Sequence, residues 1–228
     1  MSECGLRRTQ SADLETPSRV EEPTPKDDLN FRIIDNALAN EIAKEHHYLR
    51  RSCKNIRWAW GIEVSGETLG VLIIGKPDSP TVMRGVIGET KEASRSPLSR
   101  SKDVFELSRL WLSDSLPVFE VQKIDKKTGK LKTHKHGVES KFIGSCLRQL
   151  KKEYPNIILV AFADGSAGEK IKQVGYVYQA TNWTYVGMSS PFKSRTRKHR
   201  YVWLADPKDE QLLKGKWARK PYPKEGAK

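Results

Sequence analysis

The stretch "ESKFIGSCLRQLKKEYPNIILVAFAD", residues 139–164, joins an amphipathic helix to an apolar strand. Its first half repeats apolar residues at the spacing of one helix face: Phe142, Ile143, Cys146, Leu147 and Leu150. Its second half is almost entirely apolar, which is typical of a strand buried in the middle of a sheet. Because the apolar face of the helix must be covered, the stretch predicts a helix lying on a sheet.

Helix and strand signals alternate on both sides of this stretch. Asp35 is the expected N-cap of a first helix that ends near Tyr48, with Ala37, Leu38, Ile42 and Ala43 as its apolar stripe. The runs "IRWAWGIEV" and "TLGVLIIG" flank a glycine turn and predict a hairpin. Further strands are expected in "DVFELSRLWL", in the aromatic stretch "YVYQATNWTYVG" and in "RYVWLAD". The order predicts an α/β domain with a mixed central sheet flanked by helices, over residues 29–206.

Composition limits the other segments and the location of the protein. Residues 1–28 are rich in Ser, Thr, Pro and Glu without apolar periodicity, so we expect disorder there, and residues 207–228 read as a basic tail. No apolar run is long enough to cross a bilayer, which favours a cytoplasmic protein without a membrane partner. The cysteines Cys4, Cys53 and Cys146 are too far apart for a CxxC metal site. The oligomeric state stays open, with a homodimer as one option.

Positive charge is clustered along the chain rather than spread evenly. The formal net charge is +13, and six lysines lie between Lys123 and Lys135. Such clusters are typical of nucleic-acid binders, although lysine-rich loops can also be merely solvated. The expected phosphate contacts are Lys126, Lys127, Lys130, Lys132, Arg195, Arg197 and Lys198.

Several ionisable residues occupy positions suited to a site. In "DVFELSRLWL", strand alternation would put Arg109 on one face with Phe105, Leu107 and Trp111, and Glu106 on the other; each charge is either paired inside the protein or available to a ligand. Asp164 ends the buried strand, where it could serve a ligand site or cap a turn. In "HGVESK" a helix N-terminus could hold a cofactor's phosphates against Gly137, Ser140 and Lys141.

The strings "ELSRLWL", "ESKFIG", "LVAFAD" and "YQATNWTYVG", read in that order, resemble the Mom family of phage DNA-modifying proteins. The resemblance runs from about Phe31 to Asp206. It implies a fold similar to the GNAT acyltransferases. It also implies an enzyme, encoded by a phage and acting in the host cytoplasm, that converts adenine N6 in double-stranded DNA to the carbamoylmethyl form and so blocks host restriction.

The resemblance also implies site residues and cofactors. His47, Tyr48, Asp164 and Tyr178 correspond to side chains that hold an iron ion, while Arg109 and Ser140 correspond to residues associated with an acetyl-CoA-like donor, an acyl-CoA. The catalytic set is then His47, Tyr48, Arg109, Asp164 and Tyr178. The segment "GSAGEKIKQVGYV" departs from the family by carrying Glu169 and lacking a histidine, which leaves Tyr176 as a rival to Tyr178.

The polar residues inside "YQATNW" have two interpretations. Gln179 and Asn182 are amides that could pair with an adenine edge, while Tyr178 and Trp183 could stack on a flipped base. The alternative is that the amides bond neighbouring backbone and shape a loop. Two other functions also stay open: a GNAT-type N-acetyltransferase of a protein or small amine, and a DNA-binding protein without catalytic activity.

Overall fold

The computed structural model describes residues 29–116, 119–124, 131–164, 175–190 and 197–223, the side chains of 119–124, 131–136 and 164 excepted. The segment predicted to be disordered, residues 1–28, lies outside them. The helices are α1 (Asn36–His46), α2 (Pro80–Ile87), α3 (Val138–Glu153) and α4 (Tyr176–Ala180). The strands are β1 (Asn30–Ile33), β2 (Ile56–Val64), β3 (Glu67–Gly75), β4 (Val104–Leu112), β5 (Phe119–Ile124), β6 (Leu131–His136), β7 (Ile158–Asp164), β8 (Thr184–Met188) and β9 (Lys198–Leu204).

Seven strands form one sheet in the order β1-β2-β3-β4-β7-β9-β8, and β5 pairs with β6 in a separate hairpin. Within the large sheet β4 and β7 run parallel, whereas the other neighbours are antiparallel. The predicted α/β domain with a mixed central sheet is therefore confirmed. No helix within the described residues has the length and apolar character needed to span a membrane.

Helices cover both faces of the sheet. The five apolar residues predicted for one face of α3 are all buried against β2, β3 and β7, so this helix and its stripe are confirmed. On the opposite face α1 packs on β2 and β3, and α2 packs near β4. The predicted hairpin is also confirmed, with Ser65 and Gly66 both at positive φ in its two-residue turn.

The apolar stripe predicted for α1 was partly wrong. Asp35 caps the helix as expected, its carboxylate accepting from the backbone N–H groups of Ala37 and Leu38. The residues that pack inward are Ala39 and Ala43, while Ala37 and Leu38 are exposed. The small inward side chains let the helix lie close to the sheet.

Three regions differ from what the sequence suggested. Residues 176–180 form the short helix α4 rather than a strand, because Gly175 at φ 73° turns the chain ahead of it. The segment after β3, for which the sequence suggested no element, contains α2, whose residues Val86 and Ile87 are buried. Residues 207–217, assigned to the basic tail, form two short 3-10 helices, and Trp217 is buried beneath them. The domain division itself stays a prediction.

Candidate active site

The site is a cavity at the point where β4 and β7 separate. The two strands pair only from Val104 and Ile158 to Glu106 and Val160, after which both continue without each other. Parallel strands that part in this way leave a crevice beyond their paired ends, the usual ligand position in open α/β sheets. The crevice holds a cavity of about 400 Å³, lined also by residues at the end of α1 and in the first turn of α3, and by Gly175 with the start of α4.

A β-bulge in β4 decides which side chains share a face of the sheet. Leu107 pairs with Ile74 but Arg109 pairs with Ile73, so Ser108 is an extra residue without its own partner. The extra residue resets the alternation and turns Arg109 away from the face of Leu107. The prediction that Leu107, Arg109 and Trp111 share a face was therefore wrong. Arg109 lies on the same face as Glu106.

Arg109 carries an unsatisfied donor into this cavity. Its Nη1 donates to the carbonyl of Ser108 at 2.6 Å, whereas its Nε is buried and has no hydrogen-bond partner among the described residues. Buried N–H groups in proteins are nearly always bonded, so a guanidinium that lines a cavity and keeps an unbonded donor is a candidate for ligand binding. The guanidinium also lowers the pKa of Glu106, but burial is the larger effect and raises that pKa to about 7.

His47 follows α1 directly and lines the same cavity. Burial lowers its pKa to about 4, and the charges of Arg109 and Lys198 act in the same direction. The imidazole is therefore neutral near pH 7. Its Nδ1 accepts a hydrogen bond from the backbone N–H of Leu49 at 3.2 Å, so the ring proton is on Nε2.

The tyrosines of the site differ sharply in exposure. Tyr178 is buried, with its ring between those of Trp183 and Tyr201 at centroid distances of 5.1 and 5.0 Å. Burial raises its pKa well above the ordinary value. Tyr48 and Tyr176 also line the cavity, but they are 57% and 50% exposed. Of the described tyrosines that line the cavity, these two present the more exposed aromatic surface.

The stretch "YQATNW" proves to be a turn of the main chain. Thr181 Oγ1 donates to the carbonyl of Val177 at 2.8 Å, and Asn182 adopts a left-handed conformation with φ 62°. The Gln179 side chain lies near the hydroxyl of Tyr201, and its buried Nε2 has no hydrogen-bond partner among the described residues. The Thr181 contact and the Asn182 conformation favour a loop-shaping role for these two residues, whereas the role of Gln179 stays a prediction. Trp183 has 0% exposure, so the prediction that it stacks on a flipped base was wrong.

Comparison with known proteins identifies the family. Residues 28–194 match the model of the Mom protein family. The chain belongs to this family. Over 161 residues it is 28% identical to the methylcarbamoylase Mom of Escherichia phage Mu. That match covers 70% of this chain and 54% of the phage protein, so the chain spans about half the length of this relative.

Solved acetyltransferases are similar to this Mom family member in structure. A protein assigned as an acetyltransferase from Salmonella typhimurium, solved with its cofactor acetyl-CoA, is 12% identical with a TM-score of 0.46; the match covers 78% of this chain and 95% of that one. An N-acetyltransferase from Staphylococcus aureus is 13% identical with a TM-score of 0.43, over 78% of this chain and 99% of that one.

The predicted iron ligands are only partly assembled. His47, Tyr48 and Tyr178 line the cavity, whereas the side chain of Asp164 lies outside the described part of the chain. Within that part no three His, Cys, Asp or Glu side chains form a metal cluster. The described residues therefore do not assemble the predicted iron site, since one of its four ligands is not described and the Nδ1 of His47 already accepts a hydrogen bond from Leu49.

The residues predicted to bind the donor occupy two separate positions. Arg109 lines the cavity, together with Glu139 from the first turn of α3. Gly137 is the N-cap of that helix and Ser140 lies in its first turn, so both are near the opening without lining it. Lys141 is exposed on the next position of the helix.

The predicted DNA contacts fall into three groups. Lys126, Lys127, Lys130 and Arg195 lie outside the described residues, as does the side chain of Lys132. Arg197 is exposed, and its Nε donates to the carbonyl of Ser189 at 2.9 Å. Lys198 is half-buried and lowers the pKa of both His47 and Glu106, which places its charge beside the cavity.

Proposed function

We propose that this Mom family member is a transferase that converts adenine N6 in double-stranded phage DNA to the carbamoylmethyl form, using an acetyl-CoA-like donor that already carries the carbamoylmethyl group. The new N6–CH₂ bond replaces the bond between that carbon and its carrier, and the proton lost from N6 leaves with the carrier. Modified adenines would then escape host restriction. The observation that carries the proposal is the cavity between β4 and β7, which is lined by Arg109, whose buried Nε has no hydrogen-bond partner among the described residues. Family membership and the name of the phage Mu relative support the reaction class.

Arg109 is the residue that binds and orients the donor. A guanidinium presents N–H groups in a rigid planar fork, which matches a carbonyl or a phosphate better than an ammonium group does. One N–H of Nη1 donates to the Ser108 carbonyl and holds the guanidinium in place, and the remaining N–H groups are the ones that we assign to the ligand. In a cavity that excludes water, such a fixed donor stabilises charge that develops on an oxygen during the reaction.

His47 is a neutral hydrogen-bond donor in this scheme. With its proton on Nε2 and a pKa near 4, it stays uncharged throughout the physiological range. A neutral imidazole next to Arg109 adds a second N–H to the cavity without adding a repelling charge. It therefore orients a substrate oxygen together with Arg109.

The base reaches the cavity between two tyrosines. Chemistry at N6 requires the adenine to leave the duplex, and a flipped base is held by stacking on aromatic side chains. Because Tyr178 and Trp183 are buried, this role passes to Tyr48 and Tyr176, whose exposed rings lie at the mouth. Tyr176 is the functional tyrosine of its helix in this proposal, and Tyr178 supports it from the core.

Mass spectrometry of nucleosides from the DNA of cells that express the protein tests the proposal. The expected result is a deoxyadenosine that has gained one carbamoylmethyl group, and its absence when Arg109→Met is expressed. Unchanged DNA together with acetylated protein or amine would favour an N-acetyltransferase. Unchanged DNA that is nevertheless bound by the purified protein would favour a DNA-binding protein without catalytic activity.

A further inference from the structure

A cluster of positive charge lies in the segment between α1 and β2. Between Glu45 and Glu63 the sequence contains no acidic residue. Four cations lie close together within this interval: Arg50, Arg51, Lys54 and Arg57. All four are exposed, and none forms an ion pair within the part of the chain that the structure describes. We call residues 49–57 the basic loop.

The backbone of the basic loop is fixed at both ends. On one side the N–H groups of Leu49 and Arg50 donate to the ring and the carbonyl of His47. In the middle the Cys53 N–H donates to Asn40 Oδ1 at 2.7 Å. On the other side the carbonyl of Asn55 accepts from the Lys76 N–H at 3.1 Å. A loop anchored in this way presents its cations at defined positions, which lowers the entropy cost of binding.

The loop begins at the mouth of the cavity. Tyr48 lines the cavity, and Arg50 and Arg51 follow it within three positions of the chain. Arg50 has φ 43°, a left-handed conformation that turns the chain immediately after the tyrosine. The positive charge of the loop attracts anions and repels cations next to the entrance of the cavity.

We propose that Arg50 and Arg51 bind two phosphates of the DNA strand beside the adenine that enters the cavity. Arginine suits this task because its planar fork can hold a phosphate through two parallel hydrogen bonds. Such contacts set the position of the strand and read no sequence. Lys54 and Arg57 extend the positive surface along the loop. This inference rests on the proposed function for its target base, but the phosphate contacts can be tested without any modification.

The test is the salt dependence of binding to a duplex that contains adenines. Each phosphate contact contributes about 0.9 to the slope of log affinity against log salt concentration, so Arg50→Gln with Arg51→Gln should lower that slope by roughly 1.8. The matched control is Lys151→Gln with Lys152→Gln, which removes two exposed charges from the far end of α3. This control should leave the slope within about 0.5 of the wild type.

Folding is checked with a charge-conserving variant. Arg50→Lys with Arg51→Lys keeps both charges, so it should keep most of the slope. A slope unchanged in the glutamine variant, or lowered equally in the α3 control, would overturn the inference. Wild-type protein that binds duplex with the predicted slope but never modifies it would contradict the proposed function and leave the phosphate contacts standing. Wild-type protein that does not bind duplex would contradict both.

Discussion

Replacing Arg109 with Met removes the charge and all five N–H groups while keeping an unbranched side chain of similar length. One of those groups, Nε, is buried without a hydrogen-bond partner among the described residues, and the proposal assigns the guanidinium to the substrate. Loss of one fixed donor to a developing charge lowers kcat by about 10² to 10³, or roughly 3 to 4 kcal/mol of transition-state stabilisation. We expect the initial rate of deoxyadenosine modification to fall by this factor. Duplex affinity should stay within about twofold, because Arg109 lies in the cavity and not on the exterior.

The same variant has a second readout that does not depend on activity. The charge of Arg109 is one of the causes that lower the pKa of His47. Arg109→Met should therefore raise that pKa from about 4, but leave it below 6.5, since burial is the larger cause and remains. Arg109→Lys retains the charge and should leave His47 close to its wild-type pKa, although it loses the planar fork.

Three measurements check this prediction: nucleoside mass spectrometry for the rate, fluorescence anisotropy of a labelled duplex for affinity, and titration of the His47 ring protons by NMR. Equal losses of duplex affinity and rate would show that Arg109 contacts DNA. An unchanged His47 pKa in Arg109→Met would show that the two side chains are too far apart to share a substrate. Either result would refute the reasoning.

Three further predictions concern stability and DNA binding. Burial raises the pKa of Glu106 from 4.5 to about 7, so the stability tied to its protonated form is lost as pH rises through 7. Glu106→Gln should therefore unfold at a higher temperature than wild type at about pH 8.5. The gain in unfolding free energy is at most about 3 kcal/mol and should vanish below pH 4.5. Trp183→Ala should lower the free energy of unfolding, measured in urea, by about 3 to 5 kcal/mol, because the side chain is fully buried. Tyr176→Ala should change that free energy by less than about 0.5 kcal/mol. It should nevertheless lower the rate of adenine modification, measured by nucleoside analysis, roughly 10- to 100-fold. Replacing Lys126, Lys127, Lys130 and Lys132 with Gln should flatten the salt slope by about 0.9 per lost contact without changing which adenines are modified, and a changed set of adenines would mean that this segment reads bases.

The spacing of apolar residues was sufficient to predict a helix or strand wherever one face of that element packs against the core. The five apolar residues of α3 are buried as their spacing predicted, and β7 lies between β4 and β9 as its apolar composition indicated. Both features could be predicted because the apolar residues that become buried lie within one short segment of the sequence. The helix cap at Asp35 was predictable for the same reason.

Features that depend on two distant segments were not predictable. The bulge at Ser108 arises from the pairing of β4 with β3, and without it strand alternation puts Arg109 on the wrong face. Trp183 looked like a binding residue because polar neighbours surround it in sequence, yet its ring packs against Tyr178 and lies in the core. The basic loop could have been found from its run of cations without an acidic residue, but only the structure shows that it begins at the cavity.

The most direct test of the central claim, that this cavity carries out chemistry on adenine N6, uses purified protein and a short duplex with heavy nitrogen at the N6 of one adenine. An extract of host-cell small molecules supplies the donor, and tandem mass spectrometry of the released nucleosides locates the new group. The account predicts a carbamoylmethyl group on the labelled nitrogen with wild-type protein, and none above background with Arg109→Met. A group on another atom or another base, or equal product from both proteins, would contradict it.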